Sequence, residues 1–279
     1  MNAKIANIVQ FIPIFAAVKE LAQIISPITA ELAEFEAFFE KTLRAETEPM
    51  DSIMHYVLDS KGKRLRPVLV LLCAILFSEV NEQTLRAATF VEMVHSATLI
   101  HDDVVDDSNL RRNHASVKAH FGNLSAVLAG DFLLAKAMLL LAQPEDHAIM
   151  QEMLSTTAAM SEGELMQNLS ICEDADGDNE YLDIITRKTA LLMRSCCVAG
   201  ALSVNASPEQ VQQIADFGIN FGILFQLRDD ILDDENMEIA KVLLPVYYEK
   251  TLQTLESFSS SEIVDTLRDL TMFCAERDS

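Results

Sequence analysis

Apolar residues recur along the chain at three- and four-residue intervals, in segments divided by short polar breaks, which is the signature of amphipathic and buried helices. The breaks fall near Ser26–Thr29, Glu46–Asp51, Asp59–Lys63, Glu79–Gln83, Ser108–His114, Gln143–Asp146, Glu173–Asn179 and Asn205–Pro208. Between them, Leu85 to His101 reads as one apolar helix, and another is expected to start at Gly130-Asp131. Ser207-Pro208-Glu209-Gln210 supplies an N-cap, a proline at the first helical position and a glutamine at the capping-box place, so a long helix should begin there. No internal repeat and no low-complexity linker interrupts the pattern. The chain therefore reads as a single domain over residues 1–279, with residues 1–30 as a peripheral N-terminal helical segment.

Composition agrees with an all-α fold. With 8 Gly and 7 Pro in 279 residues there is too little turn chemistry for a sandwich or barrel, and an apolar half of the chain is ample for a packed core. Forty-three acidic against 21 basic residues leave a formal charge of −22, which repels nucleic acid and anionic lipid. Phosphate-bearing small molecules remain possible ligands if the site recruits divalent metal or gathers its few basic residues locally. The five cysteines are odd in number and form no CxxC pair, so they read as buried thiols of a reducing, cytoplasmic compartment. The apolar stretch Ile5 to Val18 is broken by Gln10 and Pro13 and is too short to span a bilayer; it is expected to pack on the body or a partner subunit, with a membrane surface as the alternative. No other run approaches transmembrane length. The acidic run Glu173 to Asp178 lacks the ligand spacing of a calcium loop and reads as a solvated surface loop.

Candidate chemistry concentrates in two aspartate clusters. In His101-Asp102-Asp103-Val104-Val105-Asp106-Asp107, residues four apart lie one above the other on a helix, so Asp102 and Asp106 share a face and Asp103 flanks them. Three carboxylates so arranged repel unless a cation neutralises them, and hard oxygen ligands on an open face suit Mg²⁺. A solvated acidic helix end explains this cluster alone equally well. The second cluster, Asp229-Asp230-Ile231-Leu232-Asp233-Asp234, repeats the DDxxD spacing after an apolar helix carrying Gly218 and Gly222. Two matched carboxylate walls with apolar helices leading to them suit a substrate with a diphosphate head and a hydrocarbon tail.

At this point the sequence resembles the trans-polyprenyl diphosphate synthases, from about Lys61 to Pro245. The motifs stand in family order: Gly62-Lys63-Arg64-Leu65-Arg66-Pro67, His95, Asp102-Asp103-Val104-Val105-Asp106 with Arg111-Arg112, Gly130-Asp131-Phe132-Leu133-Leu134, Gly163-Glu164, Lys188-Thr189, and Phe225-Gln226 before the second DDxxD. The resemblance implies an isoprenoid synthase fold, antiparallel helices around a deep central cavity, usually dimeric. It implies that isopentenyl diphosphate is condensed with an allylic prenyl diphosphate through an allylic cation. Asp102, Asp103, Asp106, Asp229, Asp230 and Asp233 would hold Mg²⁺, three ions once the allylic diphosphate is bound. Arg111, Lys188 and Lys241 would grip that diphosphate, and Lys63, Arg66, His95 and Arg112 would form the isopentenyl diphosphate pocket. Lys188, Thr189 and Gln226 would supply dipoles that steady the cation. Outside the resemblance His95 is an ordinary core histidine, and Arg64 and Lys61 read as surface charges.

Product length is expected to be medium to long. Short-chain members of the family often carry a bulky aromatic one helical turn before the first aspartate; Ala97 and Thr98 stand there instead, leaving Phe132 and Met138 as candidates for a deeper floor. Close helix packing is the other reason for small residues at that place. The chain departs from the family after Asp234: a Gly- and Lys-containing loop is expected, yet Asp233-Asp234-Glu235-Asn236 leads almost directly to Lys241. Residues omitted from the chain are the favoured explanation, and true shortening, with weakened metal and diphosphate binding, is the other. The remaining readings are a class I terpene cyclase and a non-catalytic subunit of a heteromeric synthase. A homodimer in transient contact with a membrane surface for product release completes the expectation.

Overall fold

Two capping boxes fix where the longest helices begin. The Thr84 amide donates to Asn81 Oδ1 at 3.0 Å while the Asn81 amide donates to Thr84 Oγ1 at 3.3 Å, and Ser207 and Gln210 repeat the exchange at 3.3 and 2.8 Å. Each pair satisfies amides that a first helical turn leaves without intrahelical partners. From these caps run Glu82–Val105 and Pro208–Leu232, of 24 and 25 residues. The first is the expected Leu85 to His101 helix, extended at both ends.

The structure is a computed structural model that describes residues 19–60, 62–111, 114–169 and 177–277. Ile5 to Val18, Lys61, Arg112, Cys172 and the first part of the acidic run, residues 173–176, lie outside the described residues. In chain order the helices are α1 (Leu21–Ile24), α2 (Thr29–Leu43), α3 (Glu48–Asp59), α4 (Leu65–Phe77), α5 (Glu82–Val105), α6 (Val117–Phe121), α7 (Asn123–Leu140), α8 (His147–Leu169), α9 (Gly177–Ile185), α10 (Leu191–Ser203), α11 (Pro208–Leu232), α12 (Met237–Leu255) and α13 (Glu262–Glu276). A π-helical turn, Thr186–Ala190, joins α9 to α10. One antiparallel ribbon, β1 (Leu110–Arg111) with β2 (His114–Ala115), pairs Arg111 with His114. The fold is all-α, as the periodicity predicts.

The chain forms two compact units, one of Thr29–Leu154 with Ala199–Ala206, the other of α1, Ser155–Val198 and the residues from Ser207 onward. In the first, α5 is the axis, packed against α2, α4, α6 and α7. Its middle is buried nearly all round, through Ala87, Ala88, Phe90, Val91, Met93, Val94 and Ala97, and a fully buried side chain the size of Phe90 stabilises by about 1.5–3 kcal/mol. Gly130 sits inside α7, not at its start: a Cβ there would overlap the His101 imidazole, so the glycine serves close approach to α5. The helix starts earlier because Gly122, at φ 85°, ends α6 and lets the chain re-enter a helix at once. By length and composition α7 is also apolar enough to cross a membrane, which the sequence reading overlooks.

In the second unit α11 plays the same part, against α9, the π turn, α12 and α13. Glycines set the spacing. A Cβ on Gly222 would lie 2.5 Å from Ala190 Cα, one on Gly218 2.7 Å from Arg194 Cα, and one on Gly163 2.8 Å from Arg187 Cβ. The π turn that carries Lys188 and Thr189 is thus pressed between backbones. The described cysteines, Cys73, Cys196, Cys197 and Cys274, are free and buried.

Both axis helices end in the same way. The Ser108 amide bonds to the Asp103 carbonyl at 2.9 Å and the Glu235 amide to the Asp230 carbonyl at 2.8 Å, each closing a Schellman turn around a left-handed residue, Asp107 at φ 53° and Asp234 at φ 59°. After the second turn the chain passes through Asp233-Asp234-Glu235-Asn236 into α12. Two left-handed residues, Asp234 and Asn236, make the reversal.

A left-handed aspartate costs about 1–2 kcal/mol that glycine escapes, partly offset by glycine's larger unfolded-state entropy. Urea unfolding of Asp234→Gly should show stability unchanged or raised by up to about 1 kcal/mol, and Asp234→Val should lower it by about 1–2 kcal/mol. The reverse order would mean that Asp234 is not the residue that turns the chain.

Candidate active site

In the first unit the acidic cluster occupies the last turn of α5, where the unpaired carbonyls make the helix end negative and carboxylates are unfavourable. The structure shows what compensates them. Asp103 is 3 % exposed, and the β1–β2 ribbon brings Arg111 over it, donating from Nε at 3.0 Å and Nη2 at 2.5 Å to Oδ1. Asp107 takes the ammonium of the buried Lys118, which holds its carboxyl below the usual range. Asp102 is half-buried and Asp106 exposed. The ribbon itself is tied by Ser116 Oγ to Ser108 O at 2.8 Å and by Tyr56 Oη to Ala115 O at 2.7 Å.

Beside this turn, the unit encloses a cavity lined by Tyr56, Ser60, Arg64, Glu92, His95, Asp103 and Arg111, among others. His95 is half-buried on its wall, 3.0 Å from Arg66 Nη1 through Nε2, so two of the expected pocket residues are brought together. Lys63 is exposed at the start of the same segment, and Arg112 lies outside the described residues. Arg64 corrects the expectation of a surface charge. Its side chain is 10 % exposed, it pairs with Glu92 at 2.5 Å and Glu36 at 2.9 Å, and its guanidinium lies 4.8 Å over the Phe39 ring. Burial alone would lower its pKa, but the two glutamates outweigh that and hold it above its ordinary value. One turn before Asp102, Ala97 is fully buried, and Thr98 Oγ1 bonds to the His95 carbonyl at 2.9 Å. On α7, Phe132 is half-buried with the Lys136 ammonium 5.3 Å over its ring, and Met138 is exposed.

In the second unit Asp229, Asp230 and Asp233 end α11. Arg277, just past α13, donates from Nη2 to Asp229 Oδ1 at 2.5 Å and stacks 4.1 Å over Phe225, while Arg228 Nη2 holds the Arg277 carbonyl at 2.6 Å. Asp230 is 5 % exposed, accepting from Tyr181 Oη at 2.5 Å and from Gln226 Nε2 at 2.7 Å. Burial raises its pKa against those two hydrogen bonds, and burial with the Asp230 contact pushes the Tyr181 hydroxyl well above its ordinary value. Thr189 Oγ1 donates to Gln226 Oε1 at 2.7 Å, so Thr189, Gln226 and Asp230 form one relay. Lys188 is held by Glu164 at 2.7 Å and Gln167 at 2.8 Å; Asp233 and Lys241 are exposed.

Among the described residues no three His, Cys, Asp or Glu groups lie close enough together to hold an ion. Two guanidiniums, those of Arg111 and Arg277, stand instead on an aspartate of each cluster, so both clusters demand positive charge, and their oxygen donors suit a hard divalent cation. Sequence reasoning missed Arg277, Tyr181 and the glutamates around Arg64. None belongs to a short motif, and only the need to neutralise a repeated acidic helix end hints that such partners exist.

The polyprenyl synthetase family model matches residues 47–241. The octaprenyl diphosphate synthase of Haemophilus influenzae is 35% identical over 191 residues, 68% of this chain and 58% of that protein. The geranylfarnesyl diphosphate synthase of Methanosarcina mazei is 32% identical over 81% of this chain and 78% of that protein. The chain spans 58% to 65% of the length of several curated relatives that it matches. A polyprenyl synthase from Caulobacter crescentus, solved with calcium and isoprenyl diphosphate, shares the fold with a TM-score of 0.84 at 23% identity, over 95% of this chain and all of that one. With a family match over most of its length, motifs in family order and the same all-helical fold, the chain belongs to the polyprenyl synthetase family.

Proposed function

We propose that the chain is a trans-prenyltransferase that condenses isopentenyl diphosphate with an allylic prenyl diphosphate to a medium-to-long-chain polyprenyl diphosphate. The observation that carries this reading is the repeated DDxxD turn, closed alike on α5 and α11 and provided in each unit with an arginine. Mg²⁺ bound at Asp102, Asp103, Asp106, Asp229, Asp230 and Asp233 would neutralise the departing diphosphate. Arg111, Lys188 and Lys241 would grip that diphosphate, while Lys63, Arg66, His95 and Arg112 would bind isopentenyl diphosphate. Gln226, whose amide is oriented by its hydrogen bonds to Thr189 and Asp230, would with Lys188 and Thr189 supply the dipoles that steady the developing cation. The exposed apolar stripe of α7, Leu124, Val127, Leu128, Met138 and Leu139, supports a homodimer, with transient membrane-surface contact for product release. Buried free thiols support a cytoplasmic location.

A second reading, a non-catalytic subunit of a heteromeric synthase, is favoured by the short α11–α12 connection, which leaves the family's first loop lysine without a counterpart. Turnover of isopentenyl diphosphate with an allylic primer by the purified chain separates the two.

Asp102→Ala or Asp229→Ala should lower kcat/KM roughly a thousandfold, corresponding to about 4 kcal/mol of transition-state stabilisation. Asp102→Ala should keep its stability because like-charge repulsion is relieved, whereas Asp229→Ala also removes the partner of the buried Arg277 guanidinium and should lower the unfolding midpoint. Near-normal turnover at saturating Mg²⁺ rules the assignment out. Lys63→Ala and Arg66→Ala should weaken isopentenyl diphosphate by about 1.5–3 kcal/mol and leave the allylic substrate nearly untouched; equal weakening of both would dissolve the division into two pockets. Ala97→Phe distinguishes a tunnel wall from a packing site. Shorter products with the first condensations intact identify a wall, whereas an unchanged product distribution with about 1–3 kcal/mol of lost stability identifies packing.

A further inference from the structure

Arg64 stands in sequence between two residues of the proposed isopentenyl diphosphate pocket, yet its own side chain turns inward. Its backbone is left-handed, at φ 54° and ψ 27°, immediately before α4, a conformation that non-glycine residues adopt only when their surroundings impose it. The imposing contacts are the Glu36 and Glu92 carboxylates and the Phe39 ring. Glu92 and His95 lie one turn apart on α5, and Arg64 and Arg66 two residues apart at the head of α4. The pairs Arg64–Glu92 and Arg66–His95, at 2.5 and 3.0 Å, therefore form two rungs between the same segments, and Arg64, Glu92 and His95 all line the one cavity.

Stability alone does not account for this arrangement. Buried ion pairs are commonly replaced by apolar residues without loss, and Arg64 also keeps Nη2 buried with no hydrogen-bond partner, a further desolvation penalty. What the planar fork supplies, and an apolar side chain cannot, is a fixed angle to two carboxylates at once. We propose that Arg64 is a positioning residue: clamped between Glu36 and Glu92, it holds the left-handed turn that leads from Lys63 into α4 and sets Arg66 beside His95, and thereby determines affinity for the homoallylic diphosphate. The proposal rests on the assignment of Lys63, Arg66 and His95 to isopentenyl diphosphate.

The test is calorimetric titration of the full chain with isopentenyl diphosphate and, separately, with farnesyl diphosphate plus Mg²⁺, so that turnover is not required. Arg64→Met with Glu92→Gln removes the clamp without leaving Glu92 charged, and Arg64→Lys keeps the charge without the fork. The paired variant should bind isopentenyl diphosphate roughly tenfold or more weakly, with farnesyl diphosphate within about twofold, and Arg64→Lys should recover part of the loss. If the paired variant does not fold, Arg64→Lys alone should still show a selective loss. Unchanged isopentenyl diphosphate binding, or equal weakening of both ligands, overturns the positioning role. Arg66→Ala separates the levels: if it too leaves isopentenyl diphosphate binding intact, the pocket assignment itself has failed, and if it alone weakens binding, only the role of Arg64 has.

Discussion

Carboxylates at the C-terminal end of a helix are electrostatically misplaced, and much of this molecule is organised around two such ends. The macrodipole already makes the last turn of α5 and of α11 negative, and each then carries a DDxxD run. The most buried aspartate of each run, Asp103 on α5 and Asp230 on α11, is the one whose carbonyl also closes the Schellman turn, so side chain and backbone of one residue are fixed together. Each unit answers with local polar partners: Arg111 and Lys118 in the first, Arg277, Tyr181 and Gln226 in the second. A protein with a net charge of −22 has few cations to spend, and it places several of them against these turns.

The two turns also explain why the acidic run is six residues long rather than five. Asp102, Asp103 and Asp106 keep the DDxxD spacing, and Asp107 ends the helix in the left-handed region; Asp233 and Asp234 divide the same labour on α11. A short polar side chain tolerates positive φ better than a branched or bulky one, so an aspartate there serves the backbone as much as the charge. Reading every aspartate of such a run as a metal ligand overlooks this division.

How much was legible in the sequence follows the range over which each signal acts. Capping boxes are local, so the starts at Asn81 and Ser207 are readable from four residues each, and the all-α class follows from periodicity and scarce glycine. Gly130 was misread as a helix start because a glycine serving close helix approach looks the same in sequence as one that breaks a helix; only the His101 imidazole across from it tells them apart. Arg64 was misread because burial of a charge is set by Glu36 and Glu92, both 28 residues away. Arg277 lies 48 residues beyond the aspartate it neutralises. Periodicity and motif both lose such pairs, which depend on how remote helices meet.

The short α11–α12 connection ties these points together. A longer loop would bring its own lysine to the second cluster; four residues cannot, and two of them, Asp234 and Asn236, are committed to left-handed backbone. Positive charge at Asp229 then has to come from elsewhere in the unit, and α13 delivers it as Arg277, braced by Arg228 on its carbonyl and by Phe225 beneath its guanidinium. A divalent cation binding at Asp229, as proposed, would meet a carboxylate already holding a buried, well-oriented guanidinium, and would have to displace that contact. On the proposed assignment, metal affinity at the second cluster would be set not by the aspartates alone but also by the strength of the Arg277 brace, an interaction that the DDxxD spacing does not encode.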